Sequence, residues 1–229
     1  MEQLPNGYTL EICPGAFPLS TDSMLLSHFV KLPKNAQVLD LGSGCGTLGL
    51  LLCASDRHCH VTGLELDACA HDAALENIRR NRLSPRMDSI CADLRSLPSE
   101  FSGHFDVCVS NPPYFFGGPA SSTLPHARRE DFCRAEDLFI SVSKALKYGG
   151  DFYLVHRPER LAELIGLGTK YTLEAKRMRL IRHREDKPFS LVLLQFRKGG
   201  KPGLILEEAA LHGMDNTPTA YYREVYHLA

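Results

Sequence analysis

Glycines and carboxylates placed directly behind short apolar runs have the chemistry of a ligand site. They are Asp40, Gly42, Gly44, Gly46, Glu65 and Asp93. Glycine has no Cβ, so its backbone turns tightly and approaches a ligand closely. Carboxylates attract cations and accept hydrogen bonds from hydroxyl and amino groups. Together these residues predict a pocket for a ligand that carries hydroxyls, an amino group and positive charge.

Two nucleotide-like cofactors match this pattern. The stretch GCGTLG fits the G-x-G-x-x-G pattern of dinucleotide sites, with Glu65 about 20 residues further on for ribose hydroxyls. Asp40 favours a cationic cofactor over a dinucleotide, because a carboxylate there is poorly placed beside a pyrophosphate but well placed near a cation. Asp93 is suited to accept from an adenine amino group. Adenosine joined to positive charge predicts S-adenosylmethionine; a glycine turn that serves packing alone is the alternative.

The stretch NPPYFF, residues 111–116, also follows an apolar run. Pro112 and Pro113 restrict the residues before them to extended conformations, so the loop is stiff and its acceptors are fixed. The Asn111 Oδ1 and the Pro112 carbonyl suit the two hydrogens of a planar amino group, which orients its lone pair toward a methyl group and stabilises the developing charge. The ring faces on which a flat base or amide stacks are those of Tyr114, Phe115 and Phe116.

Alternating strand and helix signals position these residues. The runs AQVLDL, CHVTGLEL, MDSICADL, FDVCVS and DFYLVH predict strands with helices between them, the last helix ending at Gly149 and Gly150. This alternation predicts a mostly parallel α/β sheet whose ligand lies beyond the carboxyl ends of its strands. The stretches TLEAKRMRLIRH and FSLVLLQFRK lack an intervening helix and predict an antiparallel hairpin at one edge.

The first 34 residues are predicted to form an N-terminal extension that packs on the core, with one catalytic domain over residues 35–229. Thr21 or Asp22 is suited to cap a short helix that Pro33 ends. A helix covering one end of the sheet is the simplest role for this extension.

The motifs VLDLGSGCG, GLELD, CADL and NPPY together resemble the class I S-adenosylmethionine-dependent N-methyltransferases over residues 36–156. The resemblance implies a Rossmann-like sheet of seven strands, mostly parallel with an antiparallel edge hairpin. NPPY occurs in enzymes that act on adenine, guanine or protein glutamine, so it indicates the reaction rather than the substrate. The resemblance places Asn111 in the predicted catalytic set and also in the predicted cofactor-binding set.

Stretches on either side of these motifs make the resemblance more specific. FPLSTDSMLL upstream, and FRKGGKPGLILEEAALHG with YYREVY downstream, are similar to the bacterial tRNA1(Val) (adenine-37 N6)-methyltransferases. This similarity implies an adenine beside the anticodon as substrate, and it places Thr21 and Asp22 in the methyl-transfer and cofactor pocket. Methylation of protein glutamine or ribosomal RNA guanine, and a nucleotide-binding module without catalysis, are the alternatives.

One basic stretch favours RNA as the partner. Between Lys170 and Lys201 there are 10 Lys or Arg against 3 Asp or Glu, in a chain whose net charge is −1. Nucleic-acid backbones bind such stretches, although a solvated hairpin gives the same pattern. Strand neighbours point to opposite faces, so only a subset is expected to contact RNA. The predicted contacts are Lys176, Arg177, Arg179 and Arg182.

Other features of the sequence predict a soluble protein without disulfides or a bound metal. The 8 cysteines show no paired spacing, which predicts reduced thiols. Cys53, His58, Cys59 and His60 lie in one short segment that cannot surround a tetrahedral ion, so no metal is predicted. No apolar run approaches the ~18 residues of a membrane span, and the N-terminus lacks a signal-peptide pattern. We therefore expect a soluble, cytoplasmic protein.

Overall fold

The computed structural model describes residues 2–4, 7–16, 18–112 and 134–228. The strands are β1 (Glu2–Gln3), β2 (Thr9–Leu10), β3 (Gln37–Leu41), β4 (His60–Glu65), β5 (Met87–Cys91), β6 (Phe105–Ser110), β7 (Leu146–His156), β8 (Leu173–Arg184), β9 (Phe189–Lys198) and β10 (Ile205–His212). Eight of them form one sheet in the order β10-β8-β9-β7-β6-β3-β4-β5, and β1 pairs with β2. In the large sheet β9 is antiparallel to both of its neighbours, and the other pairs are parallel.

Helices cover both faces of this sheet. They are α1 (Thr21–Phe29), α2 (Thr47–Ser55), α3 (Ala68–Arg80), α4 (Ala135–Ala145), α5 (Leu161–Lys170) and α6 (Ala220–Val225). Side chains alternate across a strand, so Val107 and Val109 of β6 join the core beneath α1, α2 and α3, while Cys108 joins the core beneath α4 and α5. Within the described ranges no helix has the length and apolar character to cross a membrane.

The predicted mostly parallel α/β sheet with an antiparallel hairpin is confirmed, but it has eight strands rather than seven. The additional strand is β10, which pairs in parallel with β8 and lies outside the β8–β9 hairpin. Its sequence carries Glu207 and Glu208, which form ion pairs with arginines of β8. These pairings join residues about 30 positions apart along the chain, so local patterns did not predict them.

The predicted end of the helix before β7 was wrong. The helix α4 ends at Ala145, and Gly149 and Gly150 belong to β7. Gly149 has φ +83°, and a Cβ at Gly150 would lie 2.9 Å from the Asp106 carbonyl oxygen. These glycines therefore allow an irregular start of β7 beside β6, where the strand register shifts.

The N-terminal region is attached to the core by amide side chains. Asn81 exchanges hydrogen bonds with the backbone of Thr9, at 2.9 and 2.7 Å, and Asn77 does the same with Glu11, at 2.8 Å in each direction. The capping residue of α1 is Ser20, whose Oγ accepts from the following turn, instead of the predicted Thr21 or Asp22. The predicted domain boundary after residue 34 stays a prediction.

Candidate active site

The predicted site residues gather at one edge of the sheet. Strand β3 lies between β4 and β6, and all three run in parallel. Their carboxyl ends therefore meet, which brings Asp40, Glu65 and Asn111 to the same edge. Asp93 follows β5, the next strand along. The prediction of a shared crevice thus agrees with the strand order.

The glycine loop after β3 adopts a conformation that favours glycine. The φ angles of Gly42, Gly44 and Gly46 are +73°, +55° and +85°, in the left-handed region that costs residues with a Cβ about 1 kcal/mol or more. The Gly42 N–H donates to the Leu64 carbonyl at 2.9 Å, which ties the loop to β4. Contact between these glycines and a cofactor stays a prediction.

Glu65 is held by backbone donors on both sides. Its Oε2 accepts from the Gly44 N–H at 2.8 Å, and its Oε1 accepts from the Asp67 N–H at 2.9 Å. Each carboxylate oxygen retains a further lone pair for a hydroxyl donor. The carboxylate is therefore fixed in place before any ribose binds.

Asp40 is buried without a hydrogen-bond partner in the described part of the chain. Its side chain is 1% exposed, and neither carboxyl oxygen has a partner there. Burial, and then the negative charge of Glu65, raise the pKa of Asp40 to about 8 against the opposing effect of the nearby Gly49 N–H. An unpaired buried carboxylate is costly, so a cation arriving nearby would stabilise its charged form. This unmatched group fits the cationic cofactor that the sequence predicts.

Asp93 is already engaged in an ion pair. Its Oδ1 and Oδ2 both accept from the Arg95 Nε at 3.0 Å, and this hydrogen bonding lowers the pKa of Asp93. The pair is partly exposed, and such pairs contribute about 0 to 1 kcal/mol. An adenine amino group would share or displace Arg95, so the predicted adenine contact stays a prediction.

Asn111 is oriented by a helix residue that the sequence analysis missed. Its Nδ2 donates to the Ser23 Oγ at 3.0 Å, which directs Oδ1 away from Ser23. Ser23 is buried in the first turn of α1, and its neighbours Thr21 and Asp22 were the nearest sequence signal. Pro112 is half-buried. The predicted residues outside the described ranges are Pro113, Tyr114, Phe115 and Phe116.

Comparison with known proteins identifies the family. Residues 19–165 match the family "Methyltransferase small domain". The chain belongs to this family. A curated relative, the tRNA1(Val) (adenine(37)-N6)-methyltransferase of Photobacterium profundum, is 31% identical over 185 residues, which are 77% of this chain and 76% of the relative. The protein of that name from Bacteroides fragilis is 29% identical over 217 residues, 92% of this chain and 91% of the relative.

Solved structures confirm the class I methyltransferase fold. A predicted O-methyltransferase of Agrobacterium tumefaciens superposes with a TM-score of 0.76 at 21% identity, over 90% of this chain and 96% of that one. Geranyl diphosphate C-methyltransferase of Streptomyces coelicolor, solved with S-adenosyl-L-homocysteine, gives 0.58 at 14% identity, over 77% and 79%. The protein is therefore an S-adenosylmethionine-dependent methyltransferase.

A polar cavity of about 290 Å³ lies beside the first turn of α1 in this methyltransferase. We call it the α1–α6 cavity. Thr21 contributes to its wall and accepts a hydrogen bond from the Tyr226 hydroxyl at 3.0 Å. Other side chains that line it are Asp22, Arg157, His183, His212 and Tyr222. The predicted cofactor role of Thr21 and Asp22 stays a prediction; the structure places both on the β7–β10 side of the crevice.

The predicted RNA-binding side chains of the methyltransferase differ in exposure. Arg177 is 9% exposed, donates to Glu207 at 2.9 Å and to the Phe29 carbonyl at 3.2 Å, and stacks on the Phe29 ring. Arg179 also donates to Glu207, and Arg182 pairs with Glu208. Lys176 is partly exposed and donates to the Lys201 carbonyl. Strand β10 therefore neutralises part of the charge that the sequence assigned to the hairpin.

A thiol cluster beside the glycine loop was also missed. Cys13, Asp67 and Cys69 place one potential metal-ligand atom each within 4.8 Å of one another, and the sulfur of Cys45 lies 4.0 Å from that of Cys13. Burial, and then hydrogen bonding with Cys69, raise the pKa of Cys13 to about 12. The cysteines in the described ranges are free thiols.

Proposed function

We propose that the protein methylates the exocyclic N6 of an adenine in RNA, and that its substrate is adenine 37, beside the anticodon, of tRNA1(Val). The observation that carries this proposal is the anchored amide of Asn111 at the carboxyl end of β6, where it begins the NPPY motif. The names of the relatives support an adenine of tRNA as the methyl acceptor. Cytoplasmic tRNA is then the partner, and the protein acts where that tRNA is found.

The protein's own groups bind and orient the reactants. When bound, S-adenosylmethionine supplies a methyl group activated by a sulfonium. Asp40 and Glu65 provide negative charge and hydroxyl acceptors on the cofactor side. The Asn111 Oδ1 and the Pro112 carbonyl accept the two amino hydrogens, which turns the nitrogen lone pair toward the methyl group. A strong base is not required, because the nitrogen becomes acidic as it acquires positive charge.

Guanine amino groups and glutamine amides present the same planar nitrogen to Asn111. The comparison that separates these acceptors is transfer of labelled methyl from S-adenosylmethionine to RNA, DNA and protein fractions of a strain that lacks the gene. We expect label in tRNA, and N6-methyladenine after digestion to nucleosides. Label in protein alone would overturn the RNA assignment and favour glutamine. Label in N2-methylguanine would retain RNA and exclude adenine.

The buried and exposed basic side chains of β8 should have different roles. Arg177→Ala should lower the free energy of unfolding by about 1 to 3 kcal/mol, because it removes a buried side chain that packs on the Phe29 ring and donates to Glu207 and to the Phe29 carbonyl. Lys176→Ala should change it by less than about 0.5 kcal/mol. Lys176→Glu should instead weaken tRNA binding and reduce its salt dependence, as expected for a backbone contact.

Chemical denaturation measures the free energies of unfolding of Arg177→Ala and Lys176→Ala. Titrations with tRNA at several salt concentrations measure the binding affinity of Lys176→Glu and its salt dependence. Equal stability losses for Arg177→Ala and Lys176→Ala would contradict the burial of Arg177. An unchanged salt slope in Lys176→Glu would remove Lys176 from the RNA-binding surface.

A further inference from the structure

We propose that the α1–α6 cavity binds the nucleotide that flanks the target adenine in the RNA, and so sets which RNA is methylated. This inference rests on the proposed function. It assigns a substrate role to the C-terminal helix α6 and to the far ends of β8 and β10, none of which belongs to the cofactor crevice.

The cavity lies at the same edge of the sheet as Asn111. The strands β7, β8 and β10 run in the same direction as β6, so their carboxyl ends reach the edge of the sheet where Asn111 stands. Arg157, His183 and His212 lie at these ends and line the cavity. Asp22 is adjacent in sequence to Ser23, the residue that holds Asn111. A nucleotide beside the target base would therefore reach the cavity while the target amino group is at Asn111.

The size and the lining of the cavity suit a single nucleotide. Its volume of about 290 Å³ lies at the lower end of the range for small-ligand sites, which suits one nucleoside. The lining combines the carboxylate of Asp22 with the guanidinium of Arg157, imidazoles and phenol rings. A carboxylate accepts from base amino and ring N–H groups, and a guanidinium binds phosphate or base acceptors. This mixture of aromatic and charged groups is typical of sites for unstacked RNA bases.

The side chains that form the cavity wall are held in place by one another. The rings of His183, His212, Tyr222 and Tyr226 form a continuous series, with successive centroids 5.0, 5.0 and 4.4 Å apart. The Tyr226 hydroxyl is bonded to Thr21, and Arg157 donates to the Ser190 carbonyl at 3.0 Å. Side chains held in this way lose little conformational freedom when a ligand binds, which favours affinity and selectivity.

The test pairs protein variants with altered RNAs. The substrates are synthetic anticodon stem-loops that contain the target adenine, either intact or abasic on its 5′ or its 3′ side. In the wild-type protein, loss of one flanking base should lower kcat/KM about 10-fold or more, the range for loss of a stacked base. Tyr222→Ala and His183→Ala should each lower kcat/KM on the intact RNA severalfold to 10-fold.

Non-additivity is the expected signature. On the RNA that lacks the recognised base, Tyr222→Ala should lower kcat/KM by less than twofold, because the contact has already been removed. His183 is exposed, so His183→Ala tests the same point with little risk to folding. Calorimetry should show unchanged S-adenosylmethionine affinity in both variants. Tyr148→Ala is the matched control, because Tyr148 is 82% exposed and lies at the start of β7, at the opposite edge of the sheet.

The outcomes separate the two proposals. Equal losses for Tyr222→Ala and His183→Ala on the intact and both abasic RNAs, with an active wild-type enzyme, would overturn the role of the cavity and leave the proposed function standing. No methylation of any RNA by the wild-type protein would overturn the proposed function and this inference together.

Discussion

Asn111→Ala should lower the single-turnover rate of methyl transfer about 100-fold or more, the usual consequence of removing a preorganised polar contact to the reacting group. The affinity for S-adenosylmethionine and the folding of the protein should be largely retained, because the Asn111 side chain is only half-buried. Rapid-quench measurements of labelled RNA determine the rate, and calorimetry determines the affinity. A single-turnover rate near that of the wild type would make Asn111 a structural residue.

Ser23→Ala is the control for this experiment. It removes the hydroxyl that fixes the Asn111 amide but leaves the amide itself. Because Ser23 acts by positioning Asn111, Ser23→Ala should lower the single-turnover rate about 10-fold, clearly less than Asn111→Ala does. Ser23→Thr keeps a hydroxyl and should recover part of the loss. A larger defect in Ser23→Ala than in Asn111→Ala would contradict this division of roles.

The affinity for S-adenosylmethionine should increase as the pH rises toward 8. In the free protein the pKa of Asp40 is about 8, so at pH 7 most of the molecules carry a proton there. A cationic ligand stabilises the charged carboxylate, and binding at pH 7 must therefore release a proton from Asp40. Calorimetry in buffers of different ionisation enthalpy measures this release. Binding without proton release at pH 7 would place Asp40 away from the positive charge.

Asp40→Asn is the matched control for this pH dependence. It keeps the shape of the side chain but cannot ionise, so the pH dependence that remains in the variant is that of the ligand. It should weaken binding at pH 8 about 10-fold or more, the loss expected for contacts to charged groups. It should also stabilise the free protein at pH 9. The pKa of wild-type Asp40 rises from 3.8 to about 8 on folding, so its free energy of unfolding falls as the pH rises from about 4 to 8. A less stable variant at pH 9 would contradict the burial of an unpaired carboxylate.

Local sequence patterns were sufficient for the parallel part of the sheet and its loop. The glycines at 42, 44 and 46 predicted a tight backbone turn, and their positive φ angles agree with such a turn. Because ligands bind beyond the carboxyl ends of parallel strands, Asp40, Glu65 and Asn111 could be placed together without knowledge of the helices. These predictions succeeded because each depended on one strand and the turn that follows it.

The remaining features depend on distant residues. The contact between Thr21 and Tyr226 joins positions 205 residues apart, and the Asn111–Ser23 hydrogen bond spans 88. The pairing of Arg177 with Glu207 requires β10 to lie beside β8, which no local period reveals. Charge counted along the chain therefore overestimated the basic surface of the hairpin, since the neutralising glutamates lie outside the counted stretch.

The insertion of β9 between β7 and β8 has a consequence for synthesis on the ribosome. The strands β3 to β7 are complete once residue 156 has emerged, but β7 receives its second neighbour only from residues 189–198. Until then the unpaired side of β7 is open to other nascent chains, and its fully buried Phe152 and Leu154 lack part of their packing. A chain that stops before Phe189 should therefore aggregate, although it already contains Asp40, Glu65 and Asn111.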